Sequence, residues 1–466
     1  MTDSLIEQAI KHAHANHDTY LEGFMELLRI PSISTDPAYT EDIHRAAEWI
    51  VAALKRLGFE RCAAMPTEGH PVVYGEWLKP DPATPTVLVY AHYDVQPPDP
   101  LGLWESPPFE PTLREGKLYA RGIIDDKIGV YSNLKVFESI LRTAGALPLN
   151  IKVFFEGEEE IGSPGMQPFV KANKELLAAD LLLVCDGASA PDRPRNAYSL
   201  RGAVTAEVTV AGPEQDLHSG VGGGAVHNPI HVVSEIIASF HNKEGHIQIP
   251  GAYDGGISLT EEERARFDAL EDDIITTYRE SCGGFRLWGE SGYNFVERTT
   301  ARPSLDVNGI YGGYQGAGMK TIIPAQAGFK VSMRLAPGQD PNDIAQKLVD
   351  HVMSFASDTV DVEVAVGMKF WPTLLLYDSL EINALNRAYK AVWGKEPLKI
   401  RAGASLPILG MFQQELEMPM TCLPLGTGGH GHAPNEYIFV DYFQTNIDTA
   451  IHFYYYLAEA YSKEKG

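Results

Sequence analysis

The sequence predicts an α/β protein whose main domain, built on a mostly parallel sheet, is interrupted by an inserted α+β domain. Three observations predict this fold. Helical patterns alternate with short apolar strand patterns from residue 1 to about 200, and the same alternation returns from about residue 373. Between these parts, strands of alternating polarity replace the fully apolar ones. With 466 residues, 44% of them hydrophobic, the chain is long enough for two domains.

Residues 1–200 and 373–466 supply the predicted elements of the main domain. Before residue 200, helical patterns cover 42–59 and 127–145, and apolar strand patterns cover 85–95, 150–158 and 179–187. After residue 373, the patterns predict a helix over 379–394, a strand over 418–426 and a long helix over 442–462. Because strands and helices alternate, the sheet is predicted to be buried and mostly parallel.

Residues 201–372 are predicted to form the inserted domain. Strand patterns cover 201–212, 325–338 and 361–368, and helical patterns cover 227–241 and 341–356. A further charged helical pattern, at 260–281, lies in a block from about 240 to 310 that a minimal unit of this kind does not need. We interpret the block as an elaboration of the insert.

The composition excludes several classes of function. The chain has 38 Lys and Arg against 62 Asp and Glu, a formal net charge of -24, which argues against binding nucleic acid or an anionic membrane surface. Its cysteines form no CxxC pair, so neither a disulfide framework nor a thiolate zinc site is indicated. The N-terminus lacks a signal-peptide pattern, and no apolar run approaches the ~20 residues of a membrane helix. A cytoplasmic protein is predicted.

Metal-binding residue types follow several predicted strands. Each has an ordinary alternative explanation: His92 as a surface histidine, Asp125 or its neighbour as a helix N-cap, and Asp186 as a turn residue. Because an α/β sheet binds ligands at the carboxyl ends of its strands, these residues and Glu160 together indicate a divalent metal site. With a histidine added from the loop GTGGHGHAPNE, the set is large enough for two ions about 3.5 to 4 Å apart that share a carboxylate.

Three adjacent carboxylates, Glu158, Glu159 and Glu160, follow the strand pattern NIKVFF. In an extended chain the first and third would share a face, whereas a turn at IGSPG would bring Glu159 and Glu160 together. One of that pair could then bind a metal ion while the other moves protons. The alternative is an acidic loop exposed to solvent.

Nine motifs in order identify a resemblance to a known family. They are AHYDVQP, ARGIIDDKIG, FEGEEEIGSPG, LLVCDGAS, DLHSGVGGG, GMKTIIP, VSMRLAPG, GASLPI and GHGHAPNE. The chain resembles the M20 family of co-catalytic metallopeptidases, and within it the cytosolic dipeptidase and carnosinase-like branch. The resemblance implies metal-dependent hydrolysis of dipeptides by a water that bridges two divalent ions, Zn²⁺ or Mn²⁺.

The resemblance also implies a set of metal ligands, which are His92, Asp125, Glu160, Asp186 and His432. In the family pattern His92 and Asp186 hold one ion, Glu160 and His432 hold the other, and Asp125 bridges both. Glu159 would be the general base and then the general acid. Asp94 would orient His92 through its imidazole.

Further residues of the insert acquire roles by the same resemblance. His218 would stabilise the oxyanion from the neighbouring subunit of a homodimer, and the insert would be the lid and dimerisation domain. Arg334 would bind the substrate carboxylate through its planar fork, with Thr321 and Ser405 as hydrogen-bonding partners.

The substrate class has alternatives within and outside the family. The extra block at about 240–310 favours dipeptides, whereas the absence of a histidine from KFWPTLLLYD departs from the carnosinase-like pattern. An N-acyl amino acid amidohydrolase would use the same site. A catalytically silent binding protein would not need Glu159. The segment GYQGAGMKT does not fit a nucleotide-binding P-loop, because Met319 separates Gly318 from Lys320.

Overall fold

The structure is a computed structural model that describes residues 2–189, 191, 194–282, 284–375, 377–403 and 406–464. The chain forms two compact units of a mixed α/β fold. The first unit comprises Met1–Tyr198, Leu375–Ile400 and Phe412–Gly466. The second unit comprises Ser199–Leu374 and Arg401–Met411. The short segment at 401–411 thus belongs to the second unit although it lies far from the rest of that unit in sequence.

The helical patterns of the sequence are confirmed, with ends that shift by a few residues. The α-helices of the described residues are α1 (Thr2–Ala15), α2 (His17–Leu28), α3 (Thr40–Arg56), α4 (Lys127–Ala144), α5 (Met166–Ala172), α6 (Lys174–Leu177), α7 (Ser219–Gly222), α8 (Pro229–Ser239), α9 (Glu261–Cys282), α10 (Phe295–Thr300), α11 (Pro341–Met353), α12 (Leu380–Trp393), α13 (Pro407–Leu416) and α14 (Val440–Glu464). Among them, none is both long and apolar enough to cross a membrane.

The strands include all those that the sequence patterns predict and others that the patterns did not, among them the nine-residue strand at Ser304–Gly312. They are β1 (Glu60–Met65), β2 (Val72–Trp77), β3 (Thr86–His92), β4 (Thr112–Arg114), β5 (Lys117–Tyr119), β6 (Asn150–Glu156), β7 (Leu181–Val184), β8 (Ala188–Ser189), β9 (Arg195–Leu200), β10 (Gly202–Ala211), β11 (Leu217–His218), β12 (Ser304–Gly312), β13 (Ile322–Ile323), β14 (Gln326–Leu335), β15 (Asp361–Phe370), β16 (Thr373–Leu374), β17 (Leu398–Ala402), β18 (Met420–Cys422), β19 (Gly426–Gly429) and β20 (Tyr437–Phe439).

The main sheet of the first unit has the strand order β1-β2-β6-β3-β7-β18. Strands β6, β3, β7 and β18 pair parallel. Strands β1 and β2 pair antiparallel with each other, and β2 pairs antiparallel with β6. The sheet is therefore mixed. Strand β1 is mostly exposed, as expected at a sheet edge, and for that reason it lacks the apolar run that marks the central strands.

The side chain of Asp126 marks the start of α4, a helix that packs against the main sheet. Helices α1, α4 and α14 pack together, and α4 contacts β3 at the centre of the sheet. The carboxylate of Asp126 accepts the N–H of Gly129 at 3.2 Å and so caps the first turn of α4. The sequence left open which of the two adjacent aspartates caps this helix. Because Asp126 does, Asp125 lies just outside the helix.

A second sheet in the first unit supports the loop that contains His432. Its strand order is β4-β5-β20-β19-β8. Strand β20 pairs antiparallel with both β19 and β5, so the loop between β19 and β20 starts and ends on paired strands. The segment that follows β5 leads directly to Asp125. Two segments that carry predicted ligands therefore leave the same small sheet.

The second unit contains a four-stranded antiparallel sheet with the order β12-β14-β10-β15. Alternate residues of β10 and β14 are buried, and α8 and α11 pack against the sheet to form a separate hydrophobic core. Helix α9 occupies the charged stretch and packs with α10 around the buried side chain of Phe267. The alternating polarity in the sequence thus corresponds to a sheet covered by helices on one face.

Candidate metal centre

Three neighbouring strands end at the same edge of the main sheet. Strand β3 ends at His92, β6 ends at Glu156 just before the single helical turn Glu159–Ile161, and β7 ends at Val184, two residues before Asp186. Strand β3 pairs parallel with both of the others, so all three carboxyl ends meet. This is the edge at which α/β sheets bind ligands.

Two groups of potential metal ligands lie at this edge. We call them the buried group, His92, Asp125 and Asp186, and the exposed group, Asp125, Glu160 and His432. Within each group, one ligand atom from each residue lies within 4.8 Å of the others. The Nε2 atom of His92 lies 3.0 Å from Asp125 and 3.9 Å from Asp186. The Nε2 atom of His432 lies 2.9 Å from Asp125 and 3.1 Å from Glu160.

Asp125 belongs to both groups through different atoms. Its Oδ1 atom faces His92 Nε2 at 3.0 Å, and its Oδ2 atom faces His432 Nε2 at 2.9 Å. Its side chain is 28% exposed, between the buried His92 and the loop of His432. A carboxylate that offers one oxygen to each side has the arrangement that a two-ion site requires of its bridging ligand.

Asp94 connects His92 to the acidic turn. The Nδ1 atom of His92 lies 3.3 Å from Asp94 Oδ1 and 3.1 Å from the Asp94 carbonyl oxygen. The two carboxylate oxygens also accept the backbone N–H groups of Glu159 and Glu160, at 3.2 and 3.1 Å. Asp94 is fully buried. It therefore holds the imidazole and the turn that carries both glutamates in one arrangement.

The three adjacent glutamates have three different environments. Glu158 is buried and accepts the backbone N–H groups of His70 and Gly165, so its carboxylate holds loops together. Glu160 contacts His432 and also accepts the side-chain N–H of Gln96 at 2.8 Å. Among the described residues, Glu159 belongs to neither ligand group. Within the described part of the chain, Glu158 therefore holds loops together and Glu160 is a potential metal ligand, whereas Glu159 has neither of these positions.

The loop between β19 and β20 contains two histidines in similar backbone conformations. His430 and His432 have φ values of 63° and 59°, in the left-handed region. His432 reaches the exposed group, whereas the Nδ1 atom of His430 lies 3.3 Å from the carbonyl oxygen of Pro434. Both side chains are exposed to solvent. The two histidines therefore make different contacts because they occupy different positions in the loop.

The carboxylates around the two histidines of the site raise the pKa of each imidazole. Burial lowers the pKa of His92, but hydrogen bonds to Asp125 and Asp94 outweigh burial and raise that pKa well above its usual value. Hydrogen bonds to Asp125 and Glu160 raise the pKa of His432 to about 10. A metal ion that uses these nitrogens must displace their protons.

Two carboxyl groups of the site, Glu159 and Asp186, also have raised pKa values, which favour their neutral forms. Burial raises the pKa of Glu159 to about 9; the positive charge of His92 opposes this shift, and the negative charges of Asp186 and Glu160 reinforce it. Burial likewise raises the pKa of Asp186 to about 7. Cations bound nearby would stabilise the ionised forms of these carboxylates.

The donor set fits divalent ions. It consists of imidazole nitrogens and carboxylate oxygens, which suit Zn²⁺ and Mn²⁺. Glu160 Oε1 is buried and has no hydrogen-bond partner within the described part of the chain. A buried carboxylate oxygen without a donor is costly, and a cation is the partner that this position would accommodate.

The residues assigned to substrate binding by resemblance lie in the second unit, apart from Ser405, which is outside the described residues. His218 is exposed, and its Nδ1 atom accepts the N–H of Gly220 at 3.0 Å. His218 pairs with Ile322 in the β11–β13 pair, and the carbonyl of Thr321, directly before β13, accepts the N–H of Ser219. Arg334 is half-buried on β14, opposite Ala203 on β10.

Three residues around the centre were not predicted from the sequence. Gln96 donates to Glu160, and a buried ion pair between Arg121 and Glu436 contacts the segment of Asp125. Gln96, Arg121 and Glu436 lie within the motifs AHYDVQP, ARGIIDDKIG and GHGHAPNE, respectively. The sequence marked these residues only by their positions in the motifs. It did not predict their roles, because their hydrogen-bonding partners are distant in the chain.

Comparisons with known proteins identify relatives of the whole chain. Residues 88–460 match the family model of Peptidase family M20/M25/M40. The Beta-Ala-His dipeptidase of Homo sapiens is 30% identical over 93% of this chain and 89% of its own length. The Cys-Gly metallodipeptidase DUG1 of Candida albicans is 30% identical over 95% of both chains. The structure of the M20 family metallo-carboxypeptidase Sso-CP2 from Sulfolobus solfataricus superposes with a TM-score of 0.82 at 31% identity, covering 94% of this chain and 99% of that one.

Proposed function

This chain belongs to the peptidase family M20/M25/M40, and we propose on that premise that it hydrolyses dipeptides at a centre that holds two divalent ions. Two relatives that align with more than nine-tenths of the chain are a Beta-Ala-His dipeptidase and a Cys-Gly metallodipeptidase. The dipeptides that these two names specify have very different side chains. We therefore propose dipeptides as the substrate class and assign no side-chain preference.

The observation that carries the proposal is the position of the Asp125 carboxylate, which faces a different histidine with each oxygen. We propose that the buried group holds one ion, the exposed group holds the other, and Asp125 bridges them. Zn²⁺ and Mn²⁺ both suit this donor set. Bound ions would polarise the scissile carbonyl and lower the pKa of a water molecule between them.

Glu159 is proposed to move the proton during hydrolysis. Its carboxylate accepts a proton from the attacking water as the water oxygen bonds to the carbonyl carbon, and it then delivers that proton to the nitrogen of the leaving amine. Its raised pKa reflects burial among like charges, so cations at both ligand groups would bring the pKa down and leave the carboxylate free to accept the proton. Asp94 keeps the turn in place through the backbone N–H of Glu159.

The second unit is proposed to recognise the substrate and to form a homodimer as the lid domain, within residues 201–372. Dipeptides present a free carboxylate next to the scissile amide, and Arg334 on β14 is the group proposed to bind it, with Thr321 and Ser405 as partners. His218 of the partner subunit is proposed to donate to the developing oxyanion. The exposed position of His218 supports a contact outside its own unit.

A substrate panel tests the proposed function. We expect purified protein, stripped of metal and reloaded with Zn²⁺ or Mn²⁺, to hydrolyse dipeptides faster than their C-terminal amides. Glu159→Gln keeps the size of the side chain but cannot accept the proton, so we expect activity to fall about 10²- to 10⁴-fold with both ions still bound. Glu396→Gln is the matched control, because that side chain is 62% exposed on the first unit, and it should keep normal activity.

Adding N-acetyl amino acids and longer peptides to the panel separates the alternatives. Cleavage of N-acetyl amino acids without cleavage of dipeptides would replace the proposal with the amidohydrolase reaction at the same site. Release of the C-terminal residue from longer peptides would extend the substrate class to that of a carboxypeptidase. Bound ions without hydrolysis of any of these substrates would contradict the proposed function.

A further inference from the structure

A buried ion pair lies directly behind the metal centre. Glu436 and Arg121 are 0% and 1% exposed, and Glu436 Oε2 accepts a hydrogen bond from Arg121 Nη1 at 2.6 Å. Replacing one member of a buried ion pair leaves the other charge without a partner, which is strongly unfavourable. Neither Arg121 nor Glu436 is a potential metal ligand, because neither belongs to a ligand group among the described residues.

The Glu436 carboxylate is surrounded by N–H donors from the segment that leads to Asp125. Its Oε2 atom also accepts the N–H of Gly122 at 2.8 Å. Its Oε1 atom accepts the N–H groups of Ile124 and Asp125, at 2.8 and 3.3 Å. With Arg121, four donors from one segment of five residues converge on this carboxylate. The backbone that presents Asp125 is therefore shaped around the side chain of Glu436.

Glu436 also belongs to the loop that contains His432. It lies four residues after His432 and directly before β20, and its carbonyl oxygen accepts the N–H of Ala120 at 3.1 Å. Arg121 extends the connection to a third segment, because its Nη2 atom donates to the Pro97 carbonyl at 3.2 Å. The neighbouring residue, Gln96, donates to Glu160. One ion pair thus joins the backbone segments of Asp125 and His432, and it reaches Glu160 indirectly through the segment of Pro97 and Gln96.

We propose that Glu436 and Arg121 are positioning residues that set the spacing between Asp125 and His432 and thereby determine the affinity of the centre for its ions. This inference rests on the proposed two-ion site, although it concerns ion binding and not the reaction. Neither residue touches the substrate or the reacting atoms in this account. Partners behind metal ligands typically change metal affinity by about 10- to 100-fold when they are replaced.

Glu436→Gln is the most direct variant. The amide keeps the shape of the side chain, but it has a single acceptor oxygen, and its NH₂ group would face N–H donors at the other position. We expect the segment of Asp125 to shift and the ion affinity to fall about 10- to 100-fold. Because the ligands themselves remain, raising the Mn²⁺ concentration should restore dipeptide hydrolysis.

A matched control separates positioning from general stability. Glu263 is a buried glutamate in the second unit that is paired with the buried Arg401 and also accepts a backbone N–H, from Thr260. Glu263→Gln should lower thermal stability without changing the number or the affinity of the bound ions. Arg121→Lys is a second test, since it keeps the buried charge while losing the fork that reaches both Glu436 and Pro97.

The experiment is a calorimetric titration of the full, metal-free chain with Mn²⁺ for each variant, with thermal unfolding measured on the same samples. Weaker Mn²⁺ binding in Glu436→Gln and, by about tenfold, in Arg121→Lys is the expected result. Unchanged Mn²⁺ affinity in Arg121→Lys would overturn the inference, even if Glu436→Gln failed to fold. Two bound ions and no dipeptide hydrolysis by the unaltered protein would contradict the proposed function and leave this inference standing.

Discussion

The two ligand groups of the centre are held in different ways. In the buried group, His92 ends a central strand that pairs on both sides, and its side chain is 0% exposed. In the exposed group, the side chain of His432 is 55% exposed and lies in a loop with a left-handed backbone. The core of the fold therefore shapes one group, whereas hydrogen bonds of a loop shape the other. We expect the buried group to bind its ion more tightly.

The largest effect is expected at Asp125, which belongs to both ligand groups. Asp125→Asn removes a charged ligand from each group while keeping the size of the side chain. Ion affinity should fall by more than about 100-fold, which exceeds the loss expected when a residue that only positions a ligand is replaced. Dipeptide hydrolysis should be lost. Metal analysis after dialysis measures the loss.

Asp81→Asn is the control for this change. Asp81 occupies a turn of the first unit, where its Oδ1 atom accepts the N–H of Ala83, and asparagine can serve the same turn. It should leave both ions bound. An Asp125→Asn chain that retains both ions would show that the two groups do not share this ligand.

The two histidines of one loop provide the sharpest test of the exposed group. Asparagine tolerates the left-handed backbone at positions 430 and 432, so both replacements should preserve the loop. His432→Asn should lose one of two ions and keep the ion of the buried group, whereas His430→Asn should bind both. Calorimetric titration with Mn²⁺ measures the number of sites. Equal effects of the two replacements would contradict the assignment of His432.

Asp94→Asn should weaken the buried group more than the exposed group. The amide has one acceptor oxygen, while the carboxylate accepts backbone N–H groups from Glu159 and Glu160 and contacts His92. We expect ion affinity to fall about 10- to 100-fold, with a smaller effect on thermal stability than on ion binding. Unaltered affinity in a variant with normal unfolding would show that Asp94 does not orient His92.

Over one unit of pH, the expected change in ion affinity is the smallest of these effects, and below pH 7 it should be steeper for the buried group, which contains Asp186. In the metal-free protein, hydrogen bonds to Asp125 and Glu160 raise the pKa of His432 to about 10. Below that pH an ion must displace a proton from His432. Ion affinity should therefore fall by up to about tenfold for each unit by which the pH decreases. Burial raises the pKa of Asp186 to about 7, so a second proton competes below that value. Titrations at several pH values measure this slope. Affinity that increases toward acid would contradict it.

Much of the fold was predictable because burial leaves a periodic pattern in the sequence. Strand β10 alternates between buried and less buried residues, and β7 is buried at every position. Strand β1 was missed because an exposed edge strand such as ERCAAM imposes no apolar pattern. The antiparallel pairing of β1 with β2, and of β2 with β6, was not predicted either.

The predicted ligands were brought together, but the connections between them were not visible in the sequence. Residue spacing alone did not distinguish the three adjacent glutamates, which only the resemblance to the family separated. The carboxylate of Glu158 contacts a backbone N–H 88 residues away. Glu436 similarly depends on Arg121, 315 residues away in the chain. Such roles arise from tertiary hydrogen bonds, which short-range spacing does not encode. The assignment of Ser405 remains a prediction, as it lies outside the described residues.

The central claim is that two ions sharing Asp125 support dipeptide hydrolysis. The most direct measurement follows the rate of dipeptide hydrolysis and the bound Mn²⁺ per chain in the same samples, while metal-free protein is titrated with Mn²⁺. We predict that the ion content reaches two per chain, that full activity appears only with the second ion, and that Asp125→Asn reaches neither. Full activity with a single bound ion, or two bound ions without hydrolysis, would contradict the account.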